Sequence, residues 1–332
     1  MLQSVRERLW SRESVGRLPS APELWALAAI AIGAIAVVLG LIAFVDHRMV
    51  LRSADRSSQL LALAFEYQTG RTVSELDREL VAVADLVRDG APTSEVLDLR
   101  LKADQADMLQ DHLLAVLNAG GLLVSASSTP VHRGLDLSDR DLVRSAIKEP
   151  EQGLMVGQSP GPMVDQRSYI GLARRIVDGG GALIGVVYAG LDPTYVDHFT
   201  VQAGLPAGSV VMVLRDDGSV LARRPQGDGW IGQSLAADAL FLQFDSRRGA
   251  GTYHEIAADD RIERVTTYRS VDGYPLVVAL GVPVDAALAD WRGRAFDLLL
   301  VWAVVSAGIA LAAAACANRA QRRRENVRRG LY

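Results

Sequence analysis

Two stretches of this chain carry no charge. Leu24 to Val45 runs for twenty-two residues and Leu298 to Ala317 for twenty, each without Asp, Glu, Lys or Arg. At 1.5 Å of rise per residue, about 20 apolar residues cross a hydrocarbon core of roughly 30 Å. A buried core helix seldom needs so many in succession, so both runs are read as transmembrane helices. They also explain a positive mean hydropathy in a chain with 22% charged residues. The first run is longer than a signal-peptide core, and the following FVDHRMV has no small-x-small cleavage site, which makes it an uncleaved anchor.

Orientation follows from the arginines. Arg6, Arg8, Arg12 and Arg17 precede the first run, and Arg319, Arg322, Arg323, Arg324, Arg328 and Arg329 follow the second. Cytoplasmic flanks favour Lys and Arg. Both termini are therefore expected in the cytoplasm of a bacterium, with residues 46–297 outside its inner membrane. The reading is α+β: residues 1–23 an amphipathic cytoplasmic segment at the lipid surface, 24–45 the first span, 46–109 long stalk helices. Two sheet units follow at 110–204 (membrane-distal) and 205–283 (membrane-proximal), then a connecting helix at 284–297, the second span at 298–317 and a basic tail at 318–332.

The sheet units are read from a repeat. Leu117-Asn-Ala-Gly-Gly121 is echoed by Leu214-Arg-Asp-Asp-Gly218, and Val177-Asp178-Gly179 by Val271-Asp272-Gly273, in the same order and at similar spacing. Each Gly-containing turn joins apolar, strand-like runs. A duplicated unit is the economical explanation. Before them, Leu60, Leu63, Ala64, Tyr67, Leu76, Leu80, Val83 and Val87 recur at helical spacing up to Gly90-Ala91-Pro92. Ser138 is expected to cap a short helix ending at Lys148.

Five segments carry a family likeness: LNAGGLLVSAS (117–127), GLDLSDRDLVRSA (134–146), RSYIGLARRIVDGGGALIGVVYAGLD (167–192), VMVLRDDGSVLARRP (211–225) and TTYRSVDGYPLVVALGVP (266–283). In this order they resemble double Cache extracellular sensor domains, as found ahead of bacterial diguanylate cyclases and sensor histidine kinases. The resemblance implies two tandem PAS-like antiparallel sheets on a long helix, and a small ligand held in the distal unit. Leu142 and Val143 stand where the family often has aromatic residues, and Ser168 where it often has tryptophan, which implies a less aromatic pocket.

Within that frame the candidate ligand-binding residues are Arg140, Arg144, Arg167, Tyr169, Arg175, Tyr188 and Asp192. Positions 167, 169, 171, 173 and 175 share one face because strand side chains alternate. Guanidinium groups on such a face suit a small carboxylate, and Asp192 would answer a ligand ammonium. In the second unit Arg223, Arg224, Arg264, Tyr268 and Arg269 read as structural ion pairs.

Other chemistry finds little support. Gly157-Gln-Ser-Pro-Gly161 matches a nucleophile motif on paper, but Pro160 and Pro162 oppose the helix such an elbow needs. The five histidines lack metal-ligand spacing, so neither metal nor cofactor is expected. Cys316 is the sole cysteine, and a net charge of -4 does not suit nucleic acid. The expectation is a non-enzymatic membrane sensor, homodimeric through its long helix, that signals to a cytoplasmic protein or to an output domain outside this chain. The alternative is a membrane-anchored interaction protein whose Cache-like units take no small ligand.

Overall fold

The computed structural model describes residues 21–90, 93–107, 112–127, 131–150, 153–158, 169–225, 229–246, 249–257 and 260–329. In chain order the elements are α1 (Ala21–Arg88), α2 (Ser94–Asp107), β1 (His112–Asn118), β2 (Leu123–Ala126), α3 (Asp141–Lys148), β3 (Met155–Gln158), β4 (Ile170–Val177), β5 (Leu183–Leu191) and α4 (Tyr195–Gln202). There follow β6 (Val210–Arg215), β7 (Val220–Arg224), α5 (Ala239–Ser246), β8 (Ala250–Ile256), β9 (Glu263–Val271), β10 (Leu276–Pro283), α6 (Val284–Ala287) and α7 (Ala289–Arg329). The chain separates into two compact units, Met1–Val50 with Leu288–Tyr332, and Leu51–Ala287.

In the first unit, the described parts of α1 and α7 are both long and apolar enough to cross a membrane. They lie antiparallel and in fixed register. Trp291 Nε1 donates to the Ala43 carbonyl at 3.2 Å, and Trp302 Nε1 donates to the Ile32 carbonyl at 3.4 Å. Eleven residues separate the donors on one helix and the acceptors on the other, which only antiparallel neighbours satisfy. At one end of this pair Arg294 meets Asp46 at 3.1 Å, and the His47 ring stands edge-on to Trp291.

The second unit contains two five-stranded antiparallel sheets with identical connectivity, β2-β1-β5-β4-β3 and β7-β6-β10-β9-β8. The repeat inferred from the turns is thus a repeat of topology. It extends to irregularities: the β1–β2 ladder slips between Val116 and Leu117, and the β6–β7 ladder between Val213 and Leu214. Gly121 and Gly218 end the two hairpin turns with φ of +85° and +92°, which glycine adopts without a Cβ penalty. A side chain there would also collide, with Ser138 in one copy and Ala236 in the other.

That contact explains one departure from expectation. Ser138 does not cap α3; its backbone N–H bonds Asp136 Oδ1 in a turn packed against Gly121, and the helix starts at Asp141. The amphipathic segment at 1–23 lies mostly outside the described residues. Both sheets set one face against α1, where Phe65, Val73, Leu76, Leu80 and Val83 are buried in a core shared with Leu172, Val187, Val271 and Val278. Their other faces are covered by α3 and α5 in separate cores.

Candidate functional site

One face of each sheet is covered by a helix, α3 in the first copy and α5 in the second. In the first copy the face is apolar. Leu142 of α3 fills the space above two glycines: a Cβ on Gly171 would stand 2.7 Å from Leu142 and 3.0 Å from the Tyr188 ring, and one on Gly157 would stand 3.3 Å from Leu142. Tyr169 lies over Gly190 in the same way. Among the described residues this face is packed with apolar and aromatic groups, and Tyr169 and Tyr188 are buried in it.

The arginines named from the sequence are dispersed. Arg175 shares the face with the tyrosines, but its Nη1 donates to the carbonyls of Ala146, Ile147 and Glu149 at 2.6–3.0 Å. It thereby closes the C-terminal end of α3, whose last carbonyls have no partner within the helix. Arg140 stands at the other end of α3, half-buried in the N-cap position. Arg144 points outward and bonds the Asp139 carbonyl and Asp141. Asp192 accepts from the Thr194 N–H ahead of α4. Arg167 lies outside the described residues, as does Ser159 of the nucleophile-like motif.

The equivalent face of the second copy is charged. Matching the ladders places Arg264 where the first copy has Tyr169, Thr266 where it has Gly171, Tyr253 where it has Gly157, and Arg223 where it has Ala126. Tyr268 and Ala279 exchange the places of Ala173 and Tyr188, so one ring fills the same space from the neighbouring strand. Arg264 is only 3% exposed. Its Nε donates to the Gly208 carbonyl at 2.8 Å, and Nη1 and Nη2 grip Asp260 at 2.9 and 2.5 Å. Those hydrogen bonds, above all, hold the Asp260 carboxyl down at about 2.

Glu255 has the opposite environment. Its Oε1 accepts from Thr266 Oγ1 at 3.0 Å and from Tyr253 Oη at 3.2 Å, yet burial outweighs both and pushes its carboxyl above the usual range. Burial likewise pushes the Tyr253 hydroxyl up. Arg223 stacks over Trp230 at 4.2 Å, a cation–π contact. The sequence reading passed over Glu255 and Thr266. The alternation rule applied to 167–175 would have found them, since 253 and 255 share one face and 264, 266 and 268 another stretch of it.

A second duplicated feature faces α1. Arg174 on β4 and Arg269 on β9 occupy equivalent positions, and each reaches a carboxylate of the helix. Arg174 binds Asp77 at 2.5 and 3.0 Å, and Arg269 binds Glu66. Next to the second pair the contact is polar: Ser58 Oγ lies 2.9 Å from Thr267 Oγ1, Thr267 lies 3.0 Å from Thr252, and His254 lies 3.2 Å from Asp55. Two clefts open between the copies. One of about 1350 Å³ lies beside α3 and β3, and one of about 860 Å³ lies against α1 between its two ion pairs.

Comparison with known proteins agrees with this architecture. Residues 194–281 match the dCache_1-like family model, described as a histidine kinase sensor domain. The extracellular domain of rpHK1S-Z16, described as a histidine kinase, aligns with 73% of this chain and 99% of its own at 27% identity and a TM-score of 0.63. The ligand-binding domain of the Pseudomonas fluorescens chemoreceptor CtaA, solved with L-isoleucine, aligns with 74% and 99% at 14% identity and a TM-score of 0.55. That of the Pseudomonas aeruginosa PAO1 amino acid chemoreceptor PctB, solved with L-Arg, aligns with 70% and 95% at 16% identity and a TM-score of 0.52. No curated protein matches the chain.

The duplicated sheets and their helices therefore resemble those of Cache-type sensor domains. Within that class the likeness is to double Cache domains of the histidine kinase sensor kind, here carried between two apolar helices, and the resemblance read from the sequence stands.

Proposed function

We propose that this protein is a membrane-bound signal-transduction sensor that binds a small extracytoplasmic ligand, a carboxylate or amino-acid-like molecule, in its distal sheet copy. In this reading the apolar helices span a bacterial inner membrane, residues 46–297 lie outside it, and both termini lie in the cytoplasm. Ligand-binding relatives of the same fold support the ligand class, CtaA with L-isoleucine and PctB with L-Arg. The distal face would admit a ligand by displacing Leu142 from the glycine floor, with Tyr169, Tyr188 and the half-buried Arg140 supplying polar contacts. Output passes to a cytoplasmic signalling protein or to a separate output domain.

The observation that carries the reading is the attachment of both sheets to one helix. Equivalent arginines, Arg174 and Arg269, bind Asp77 and Glu66 of α1, so a change in either sheet bears on the helix that also contains the first apolar run. A ligand shifts such an equilibrium only by its unequal affinity for two arrangements. Leu60, Leu63 and Tyr67 of α1 are exposed and suit pairing with a second copy. The close packing of Leu142 supports the second reading, an interaction protein whose distal copy takes no small ligand.

The test is thermal unfolding of the full chain in lipid nanodiscs against the common L-amino acids and small mono- and dicarboxylates. At a hundredfold excess over Kd, a true ligand stabilises by about 2.7 kcal/mol, which moves Tm by roughly 5–10 °C in a domain of this size. Arg140→Ala is expected to remove the shift. A flat response to the whole panel would favour the second reading.

A further inference from the structure

The cleft of about 860 Å³ lies where both sheet copies meet α1, inside the compact unit Leu51–Ala287. Its floor is one face of the helix, Glu66, Gly70, Ser74 and Asp77, which recur at three- and four-residue spacing. The distal copy supplies one wall through Leu154 and Arg174. The proximal copy supplies the other through its β9–β10 turn, Val271 to Tyr274. That turn is seated closely on the helix, since a Cβ on Gly70 would stand 3.2 Å from Val271 Cγ1. The volume falls within the roughly 300–1,000 Å³ typical of small-molecule sites.

The lining selects the sign of a ligand. Among the described residues it carries three carboxylates, Glu66, Asp77 and Asp272, against two guanidiniums, Arg71 and Arg174. Both guanidiniums are committed, Arg71 to Glu75 and Arg174 to Asp77, while Glu66 is matched by Arg269. Asp272, exposed on the turn, is the carboxylate in excess. Glu66 and Asp77 are themselves part-buried, at 13% and 17% side-chain exposure, where their attraction for a cation is screened less than at an open surface. Tyr274, half-buried two residues after Asp272, adds an aromatic ring, whose face attracts cations.

We infer that this cleft is a binding site for a small organic ammonium ion, held by Asp272 and the Tyr274 ring against the carboxylates of Glu66 and Asp77. Occupied, it would join α1 to both copies between the two ion pairs that already attach them. The site is separate from the distal face, so its test and that of the distal ligand succeed or fail independently.

The experiment uses the full chain in phosphatidylglycerol nanodiscs, which carry no ammonium headgroup, with the heat of empty discs subtracted. Choline is the probe. Calorimetry is expected to show binding, and amide exchange of residues 271–274 should slow in its presence. 3,3-Dimethylbutan-1-ol, the uncharged isostere of choline, should bind at least about tenfold more weakly. Asp272→Asn keeps a residue suited to the turn ahead of Gly273 and should weaken choline about threefold to fivefold, the scale of one exposed charge. Tyr274→Leu should weaken it by about as much through loss of the ring face. Asp216→Asn, which removes an exposed carboxylate from the other cleft, should bind choline as the parent does. Absence of choline binding, equal binding of the isostere, or an equal loss in Asp216→Asn and Asp272→Asn would each overturn the inference. The two aspartate variants and the isostere decide even if Tyr274→Leu misfolds.

Discussion

Arg264 and Glu255 lie on one face of the proximal sheet and respond to burial in opposite ways. Arg264 is buried but fully engaged, so removing its partner leaves a charge stranded. Asp260→Asn is expected to cost about 1 kcal/mol, because Arg264 is buried but the Asp260 carboxylate is more than a third exposed and solvent screens the pair, seen as a lower denaturation midpoint at neutral pH. Because hydrogen bonds from Arg264 hold Asp260 down at about 2, its contribution is present above the ordinary carboxylate range and lost as pH falls toward 2. The variant should therefore have a flatter acid limb. Glu255 has the opposite sign. Its carboxyl is raised by burial, so the folded state binds the proton more tightly, and stability falls as pH rises through the raised value. Glu255→Gln keeps an oxygen for Tyr253 and Thr266 and removes the buried charge. Its Tm at neutral pH should equal or exceed that of the parent, and a lower Tm would contradict this account.

At the scale of elements, α1 is held by two unlike contacts. From Phe65 to Val83 it packs through Phe65, Leu76 and Leu80 into the apolar core it shares with both sheets, whereas Asp55, Ser58 and Gln59, earlier on the helix, meet the proximal sheet through hydroxyls and charges. Apolar burial contributes about 25 cal/mol per Å², while exchange of protein for water hydrogen bonds yields only about 1 kcal/mol per bond. Amide hydrogens of 54–61 should thus exchange at least about tenfold faster than those of 73–83, as expected for segments with unequal local stability. Ser58→Ala with Thr252→Val and Thr267→Val should narrow that gap. Uniform protection along the helix would refute the division. The ion pairs make a separate prediction: Arg174→Ala should destabilise by about 1–3 kcal/mol, the range for half-buried charge-assisted bonds, with Asp77→Ala adding little once the arginine is gone.

For the whole molecule the open question is sidedness. Cys316 is the only cysteine, and it is exposed near the far end of the second apolar run. With both termini in the cytoplasm, a membrane-impermeant maleimide added to intact cells should leave Cys316 unlabelled and should label it after permeabilisation. In a Cys316→Ser background a cysteine replacing Arg71, which is exposed on α1, should show the reverse pattern. Labelling of Cys316 in intact cells would invert the topology.

Much of this protein is legible one residue at a time. Two uncharged runs specify the apolar helices because their length and composition must match a bilayer core. The turn glycines specify the repeat because a positive φ is local chemistry. Alternation in β4 placed Tyr169 and Arg175 on one face for the same reason. The sequence could not say what those side chains would meet. Arg175 binds the end of α3, and Arg174, its neighbour, binds Asp77 nearly a hundred residues earlier. Leu142 fills the floor that Gly171 vacates, and Tyr268 does from β9 what Tyr188 does from β5. Which sheet face is charged depends on partners brought together from distant parts of the chain. Periodicity assigns a side chain to a face, and only tertiary packing supplies its neighbour.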